Sequence, residues 1–186
     1  MEALDLRYTA LEEFENLPEN VRAELIHGII YDMSPAPNIT HQRISMRISN
    51  LIFNYIKKNK GKCEVYSAPT DVKLSDDTTV QPDIFVVCNP DKLTEKCCVG
   101  APDWIIEITS GNAAYDYVTK LNLYKEFHVR EYWVVDPINE SVTVCSFENI
   151  KPEFNHYKFT DTVTARIFKD NPEPLEICVA DLISDY

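Results

Sequence analysis

The sequence of 186 residues has no long hydrophobic run. No stretch approaches the roughly 18 apolar residues that a membrane-spanning helix needs. The amino-terminal stretch, MEALDLRYTALEEF, has acidic residues where a secretory signal has basic ones. Internal repeats and low-complexity tracts are lacking, and there are only four glycines. We therefore expect a cytoplasmic protein without membrane contact, organised as a single domain over residues 1–186.

The cysteines lack the spacing of a metal site. None forms a C-x-x-C motif, and no pair of histidines supplies zinc-finger spacing. Because disulfides are rare in the cytosol, we predict reduced thiols, most of which pack as small apolar side chains. The cysteines are Cys63, Cys88, Cys97, Cys98, Cys145 and Cys178.

Basic residues are scarce overall, but one segment concentrates them. The chain has 18 Lys and Arg against 30 Asp and Glu, a formal net charge of −12, which argues against a general polycation that coats nucleic acid. Residues 41–62, in contrast, contain six basic residues and no acidic one. This segment is either a solvated helix face or a surface that contacts phosphate. The candidate phosphate contacts are Arg43, Arg47, Lys57 and Lys58.

Hydrophobic periodicity predicts an α/β arrangement. A hairpin is expected over Glu24–Tyr31, and the i, i+3, i+4, i+7 pattern predicts a helix from His41 to about Asn59. A second helix, Ala113–Phe127, between two apolar strands suggests a crossover unit on a mixed sheet. A short helix is expected over Thr9–Leu17. The predicted strands are Cys63–Ala68, Thr70–Leu74, Val80–Cys88, Trp104–Thr109, Glu131–Asp136 and Ser141–Phe147, with added strands at His156–Phe159 and Thr162–Phe168 and a closing segment at Leu175–Ile183.

Two carboxylates adjoin predicted interior strands. Asp83 precedes the apolar run 84–87, and Glu107 lies among isoleucines 105, 106 and 108. A buried ionised carboxylate needs a partner or a metal, and two of them on neighbouring strands can bind Mg²⁺. Lys120, on the following helix, could orient the attacking water or stabilise charge on a phosphoryl oxygen. The alternatives are a turn acid for Asp83, a structural ion pair for Glu107 and a solvated lysine for Lys120.

These residues lie in stretches that resemble the Uma2 family, a bacterial group in the PD-(D/E)XK restriction-endonuclease-like superfamily. The resemblance covers about residues 8–150 and is most specific around Glu107 and Trp133. The matching stretches are Tyr8-Thr9 with Glu12-Glu13-Phe14, Glu24-Leu25-Ile26-His27-Gly28, Met33-Ser34-Pro35 with His41, Gln81-Pro82-Asp83-Ile84, Ala101 to Ser110 (APDWIIEITS), Lys120-Leu121 with Tyr124, and Val129 to Pro137 (VREYWVVDP).

The resemblance implies a restriction-endonuclease-like α/β core, with a central mixed β-sheet flanked by helices and extra amino- and carboxy-terminal strands. It implies that Asp83 and Glu107 hold Mg²⁺, with Mn²⁺ as a substitute. Thr109 replaces the lysine that the superfamily places two residues after the glutamate, and Lys120 matches the position that the Uma2 pattern uses instead. The candidate auxiliary residues are Glu24, His41 and Gln81, each of which could equally be structural.

The leading hypothesis is therefore a Mg²⁺-dependent endonuclease that hydrolyses phosphodiester bonds in DNA. One alternative is a catalytically silent module on the same fold that binds nucleic acid or another partner. Another is a small-molecule or metal-binding protein, which the acidic composition keeps open. The choice between DNA and RNA and the existence of a homodimer stay open, because no heptad repeat or reader motif such as a helix-turn-helix is present.

Overall fold

The computed structural model describes residues 10–18, 21–33, 36–109 and 116–183, and in these ranges strands alternate with a few helices. Residues 10–15 are helical. The α-helices that follow are α1 (Ile39–Lys58), α2 (Leu121–Glu126, entered through a π-helical turn, Asp116–Lys120) and α3 (Val179–Ile183). The strands are β1 (Ala23–Ile26), β2 (Ile29–Asp32), β3 (Glu64–Ser67), β4 (Val72–Ser75), β5 (Thr78–Val80), β6 (Ile84–Val87), β7 (Cys98–Val99), β8 (Trp104–Ile108), β9 (Glu131–Asp136), β10 (Ser141–Ser146), β11 (Glu153–Lys158), β12 (Thr162–Thr164) and β13 (Glu176–Cys178).

Within these ranges, a mixed sheet of six strands has the order β11-β10-β9-β8-β6-β3. Strand β8 pairs antiparallel with β6 and parallel with β9. Helix α2 lies in the connection between β8 and β9, which confirms the predicted strand–helix–strand crossover. The other described strands form a second sheet, β2-β1-β5-β4-β7, and the pair β12-β13.

Both faces of the central sheet are covered. One face packs against α1 and the carboxy-terminal segment, and the other packs against the second sheet and α2. Side chains alternate along β8 because successive residues of a strand point to opposite faces. Ile106 and Ile108 face α1, whereas Ile105 faces the second sheet. Glu107 has the parity of Ile105 and therefore faces the second sheet.

Helix α1 confirms the helix predicted from His41 to about Asn59, since it runs from Ile39 to Lys58. Its isoleucines 44, 48, 52 and 56 recur every four residues and are buried against the central sheet. Asn38 begins the helix, because its side-chain oxygen accepts the backbone N–H of His41 at 2.9 Å. The predicted hairpin is also present as β1 and β2. Its turn residues, His27 and Gly28, have φ values of 50° and 74°, which suit a tight two-residue hairpin.

The predicted strand Val80–Cys88 is wrong, because the structure divides it between two sheets. Strand β5 ends at Val80 in the second sheet, and β6 begins at Ile84 in the central sheet. Pro82 lies in the break, where it has no N–H to contribute to a ladder. The break places Asp83 at the entrance to β6. Thr162–Phe168 is likewise shorter as a strand than predicted, since residues 166–168 form a 3₁₀ turn.

The prediction of reduced thiols is wrong for two cysteines. A disulfide joins Cys63 to Cys88. Strands β3 and β6 are antiparallel neighbours with Glu64 opposite Val87, so the residues just outside these positions face each other. The cysteines that are free are Cys97, Cys98, Cys145 and Cys178.

The second predicted helix is partly described. It buries Leu123 and Tyr124, whereas Val118, in the π-helical turn before it, is exposed. Residues 113–115 of this prediction and Thr9 of the first predicted helix lie outside the described residues. None of the helices described is both long and apolar enough to cross a membrane.

Truncating the core of α1 should destabilise the protein. We expect Ile48→Ala to lower the free energy of unfolding by about 2–5 kcal/mol, because it leaves a cavity between α1 and the central sheet. Ile39→Ala, at an exposed position of the same helix, is the matched control and should change it by less than about 0.5 kcal/mol. Urea unfolding followed by circular dichroism measures both, and equal losses in the two variants would contradict this packing.

Candidate active site

Asp83 and Glu107 lie side by side at the point where β6 begins. The register of β6 and β8 places Ile84 opposite Ile106, and its extension by one residue places Asp83 opposite Glu107. The backbone N–H of Asp83 donates to Oε2 of Glu107 at 3.1 Å. The sequence prediction that these two carboxylates lie on neighbouring strands therefore agrees with the geometry.

The Asp83 carboxylate completes the β6–β8 ladder. By the same register Ile108 lies opposite Pro82, but its N–H donates instead to Oδ2 of Asp83 at 2.8 Å. That oxygen also accepts from Nε2 of His41 at 2.9 Å. The other oxygen, Oδ1, accepts no hydrogen bond from the residues described, and the side chain is 18% exposed. Asp83 is thus fixed on one side and open on the other.

Glu107 is buried, and its carboxylate is held by donors from α2 and the turn before it. Its Oε1 accepts from the Tyr124 hydroxyl at 2.7 Å and lies 3.4 Å from Nζ of Lys120. Burial raises the pKa of Glu107 to about 7, against the positive charge of Lys120, and the charges of Asp83 and Glu24 add to the rise. Tyr124 is four residues after Lys120, so the two share a helix face. The sequence analysis assigned this tyrosine no contact with Glu107.

Lys120 is a buried lysine, not a solvated one. Its Nζ lies 2.5 Å from Oε1 of Glu24, and the two side chains are 5% and 4% exposed. The same Glu24 oxygen accepts the backbone N–H of Gln81 at 2.9 Å. Glu24 belongs to β1 in the second sheet and Glu107 to β8 in the central sheet. Lys120 therefore joins the two sheets through one positive charge between two negative ones.

His41 and Gln81 complete the group that the sequence singled out. Burial lowers the pKa of His41, but the hydrogen bond to Asp83 and the charges of Asp83 and Glu107 outweigh it, so this pKa lies above its ordinary value of 6.5. Nδ1 of His41 is buried and has no hydrogen-bond partner. Gln81 donates from Nε2 to Asp71 at 2.8 Å, and its buried Oε1 is also without a partner.

The donor set suits a hard cation such as Mg²⁺. The adjacent carboxylates of Asp83 and Glu107 supply oxygen ligands, and Mg²⁺ keeps several of its waters. Within the described ranges, no group of three or more His, Cys, Asp or Glu side chains is placed to hold a metal. The fit is therefore to a site with two carboxylates and waters.

The four candidate phosphate contacts, all on α1, are largely engaged within the protein. Arg47 donates through Nη1 to the backbone oxygen of Leu182. Lys58 pairs with Glu173 at 2.7 Å, and Lys57 lies 6.0 Å from the ring centre of Phe53. Arg43 is half-buried and has a partner of its own. None of these four lines the cleft beside Asp83, which has a volume of about 350 Å³ and runs between α1 and residues 67–69.

Comparisons with known proteins agree with this arrangement. A solved structure described as a "putative nuclease belonging to DUF820" from Anabaena variabilis ATCC 29413 matches with a TM-score of 0.73 at 25% identity, over 93% of this chain and 96% of that chain. Residues 11–171 match the sequence model of Uma2, described as "Putative restriction endonuclease". No curated protein matches the chain.

The fold is therefore the restriction-endonuclease-like α/β fold, with a central mixed sheet flanked by helices, as predicted. Family and fold together indicate a nuclease of the restriction-endonuclease type. The chain belongs to the Uma2 family, which confirms the resemblance seen in the sequence.

Removing the buried lysine should unfold the protein more readily. We expect Lys120→Met to lower the free energy of unfolding by about 3–5 kcal/mol, because Glu24 and Glu107 lose their buried counter-charge. Adding Glu24→Gln to this variant should recover part of the loss. Lys58→Met, which removes an exposed ion pair, should have little effect and serves as the control. Urea titrations would refute this role for Lys120 if Lys120→Met were as stable as the wild type.

The pKa of Glu107 predicts a pH-dependent stability in metal-free buffer. Below about pH 4.5 the carboxyl is protonated in both states. Between 4.5 and 7 the unfolded chain ionises while the native side chain does not, so the stability falls as pH rises through this interval and then levels off. The total fall is on the order of 3 kcal/mol or less.

Comparison of the wild type with Glu107→Gln isolates this contribution. Free energies of unfolding are measured from pH 4.5 to 8 with a chelator present. The difference between the two proteins should change in favour of the variant as pH rises. A difference that stays constant over the range contradicts the raised pKa.

Proposed function

We propose that this protein is a Mg²⁺-dependent endonuclease that hydrolyses phosphodiester bonds in DNA, with Asp83 and Glu107 as the metal ligands. The observation that carries the proposal is the direct contact of the two residues across β6 and β8. Mn²⁺, which accepts the same oxygen ligands, is a substitute. The membership in Uma2 and the likeness to the DUF820 structure support a nuclease, and the family's description as a restriction endonuclease supports DNA as the substrate.

Each residue of the group has a role that its contacts support. When bound, Mg²⁺ would supply positive charge that polarises a phosphoryl oxygen and lowers the pKa of a bound water. Glu107 must be deprotonated to bind a cation, and the positive charge of Lys120 favours that state. His41 orients the Asp83 carboxylate through its Nε2, so that Oδ1 stays open. Glu24 anchors Lys120.

Hydrolysis itself requires a water oxygen to form a bond to phosphorus while the bond to the leaving sugar oxygen breaks on the opposite side. We assign Lys120 to position the attacking water or the phosphate, since it is the cation that lies against Glu107. The attacking water releases a proton to solvent, and the leaving oxygen takes one up from solvent. With a net charge of −12, the protein should bind DNA weakly, and more weakly as salt rises.

One observation favours a second candidate function. Both oxygens of Glu107 already accept hydrogen bonds from the protein, from Tyr124 and from the backbone of Asp83. A carboxylate satisfied in this way can serve structure alone. The alternative is a catalytically silent nucleic-acid-binding or interaction module, which would bind DNA but show no turnover with any divalent metal.

Metal titration and a cleavage assay separate the two functions. Calorimetry with Mg²⁺ and Mn²⁺, followed by gel assays on single- and double-stranded DNA, should show metal-dependent cleavage by the wild type. Asp83→Asn and Glu107→Gln should each reduce the cleavage rate by about 100-fold or more, because each removes a ligand charge. Asp76→Asn, at an exposed acidic position, should leave the rate unchanged.

Full activity in either ligand variant would remove that residue from the metal site. Metal-independent DNA binding without cleavage would favour the silent module. Circular dichroism of each variant checks that the fold is intact.

A further inference from the structure

The cleft beside Asp83 has the dimensions of a ligand site. Its volume of about 350 Å³ falls within the range of about 300–1,000 Å³ that is usual for such sites. His41, Gln42, Ser45 and Ser49 of α1 line one side, and residues 67–69 line the other. Asp83 also lines the cleft, which therefore opens onto one of the two candidate metal ligands. A molecule in the cleft would reach the Asp83 side chain.

Arg22 lines the same cleft, and its guanidinium has no partner among the described residues. Its guanidinium makes no hydrogen bond or ion pair with any residue that the structure describes, and its buried Nε is unsatisfied. Buried polar groups almost always have hydrogen-bond partners, and a half-buried arginine without one leaves part of its desolvation uncompensated. It is also the one lysine or arginine among the described residues that line the cleft.

Two other residues of this cleft also carry a polar atom without a partner among the described residues. They are His41, at Nδ1, and Ser49, at Oγ, and both atoms are buried. Three of the residues that line the cleft thus have incomplete hydrogen bonding. Apolar contact is available from Met46 and Pro69, which also line the cleft.

We infer that Arg22 binds a backbone phosphate of the nucleic-acid substrate next to the scissile one, and that the cleft holds the nucleotide between the two. This inference rests on the proposed function. A guanidinium matches a phosphate through two parallel N–H···O bonds. Met46 and Pro69 contact the sugar or base of that nucleotide. The residue that binds the substrate backbone is then Arg22, next to β1 and outside the basic segment 41–62.

The test compares Arg22→Gln with Arg22→Lys. With Mg²⁺ and a short DNA duplex or single strand, Arg22→Gln should raise KM about 10-fold or more, the effect of losing a hydrogen bond to a charged group. Arg22→Lys keeps the positive charge but loses the planar pair of N–H donors, so its KM should lie between those of the wild type and Arg22→Gln. The slope of log affinity against log salt should fall by about 0.9 in Arg22→Gln, since one phosphate contact is lost. A merely structural role would not change that slope.

Two other variants complete the design. Lys151→Gln removes an exposed charge in the turn between β10 and β11, at the opposite edge of the central sheet, and should leave KM and the slope unchanged. Met46→Glu places a negative charge at the exposed rim of the cleft and should raise KM as well. It keeps the inference testable if Arg22→Gln folds poorly.

The outcomes distinguish this inference from the proposed function. If the wild type cleaves DNA and both Arg22→Gln and Met46→Glu keep its KM and salt slope, the inference is wrong and the function stands. If the wild type does not cleave, but calorimetry shows that it binds a 5′-phosphorylated dinucleotide and Arg22→Gln does not, the cleft assignment stands and the nuclease proposal fails. A matched RNA strand decides which phosphodiester the cleft prefers.

Discussion

The buried ion cluster of Glu24, Lys120 and Glu107 is the interaction on which the site depends. One ammonium group lies between carboxylates from two different sheets. Their attraction is strong because water is largely excluded, but the same exclusion makes each charge costly alone. The cluster therefore fixes how the second sheet sits on the central one. It also fixes the position of the helix that carries the lysine.

The interruption between β5 and β6 positions Asp83, the other carboxylate of the site. Pro82 ends the connection from the second sheet, and Asp83 uses its carboxylate where a strand would use a backbone carbonyl. Its neighbour, Glu107, is held from the other side by Tyr124. The Asp83 carboxylate is thus oriented by His41 and the N–H of Ile108, and the Glu107 carboxylate by Tyr124 and the N–H of Asp83. This preorganisation is what a site for a charged ligand requires.

The sequence predicted the parts of this protein that depend on local or alternating patterns. The isoleucine repeat located α1, and the apolar runs around Glu107 and Trp133 located β8 and β9. The pairing of Asp83 with Glu107 was predictable because acids beside interior strands need a reason. Other contacts between residues that are distant in sequence could not be predicted. The disulfide between Cys63 and Cys88 and the partners of Arg47 and Lys58 depend on how strands and termini come together, which periodicity does not encode.

The double use of Asp83 has a consequence for how relatives of this protein are compared. The side chain both ends a strand and faces the cleft, so its loss would cost the sheet a hydrogen bond as well as a ligand. A descendant that no longer cut anything would still be under selection to keep it for folding. The presence of this aspartate in a relative is thus a poor indicator that the relative is an active enzyme. A residue that only binds a ligand in the cleft, the role proposed for Arg22, would be substituted earlier once activity is lost.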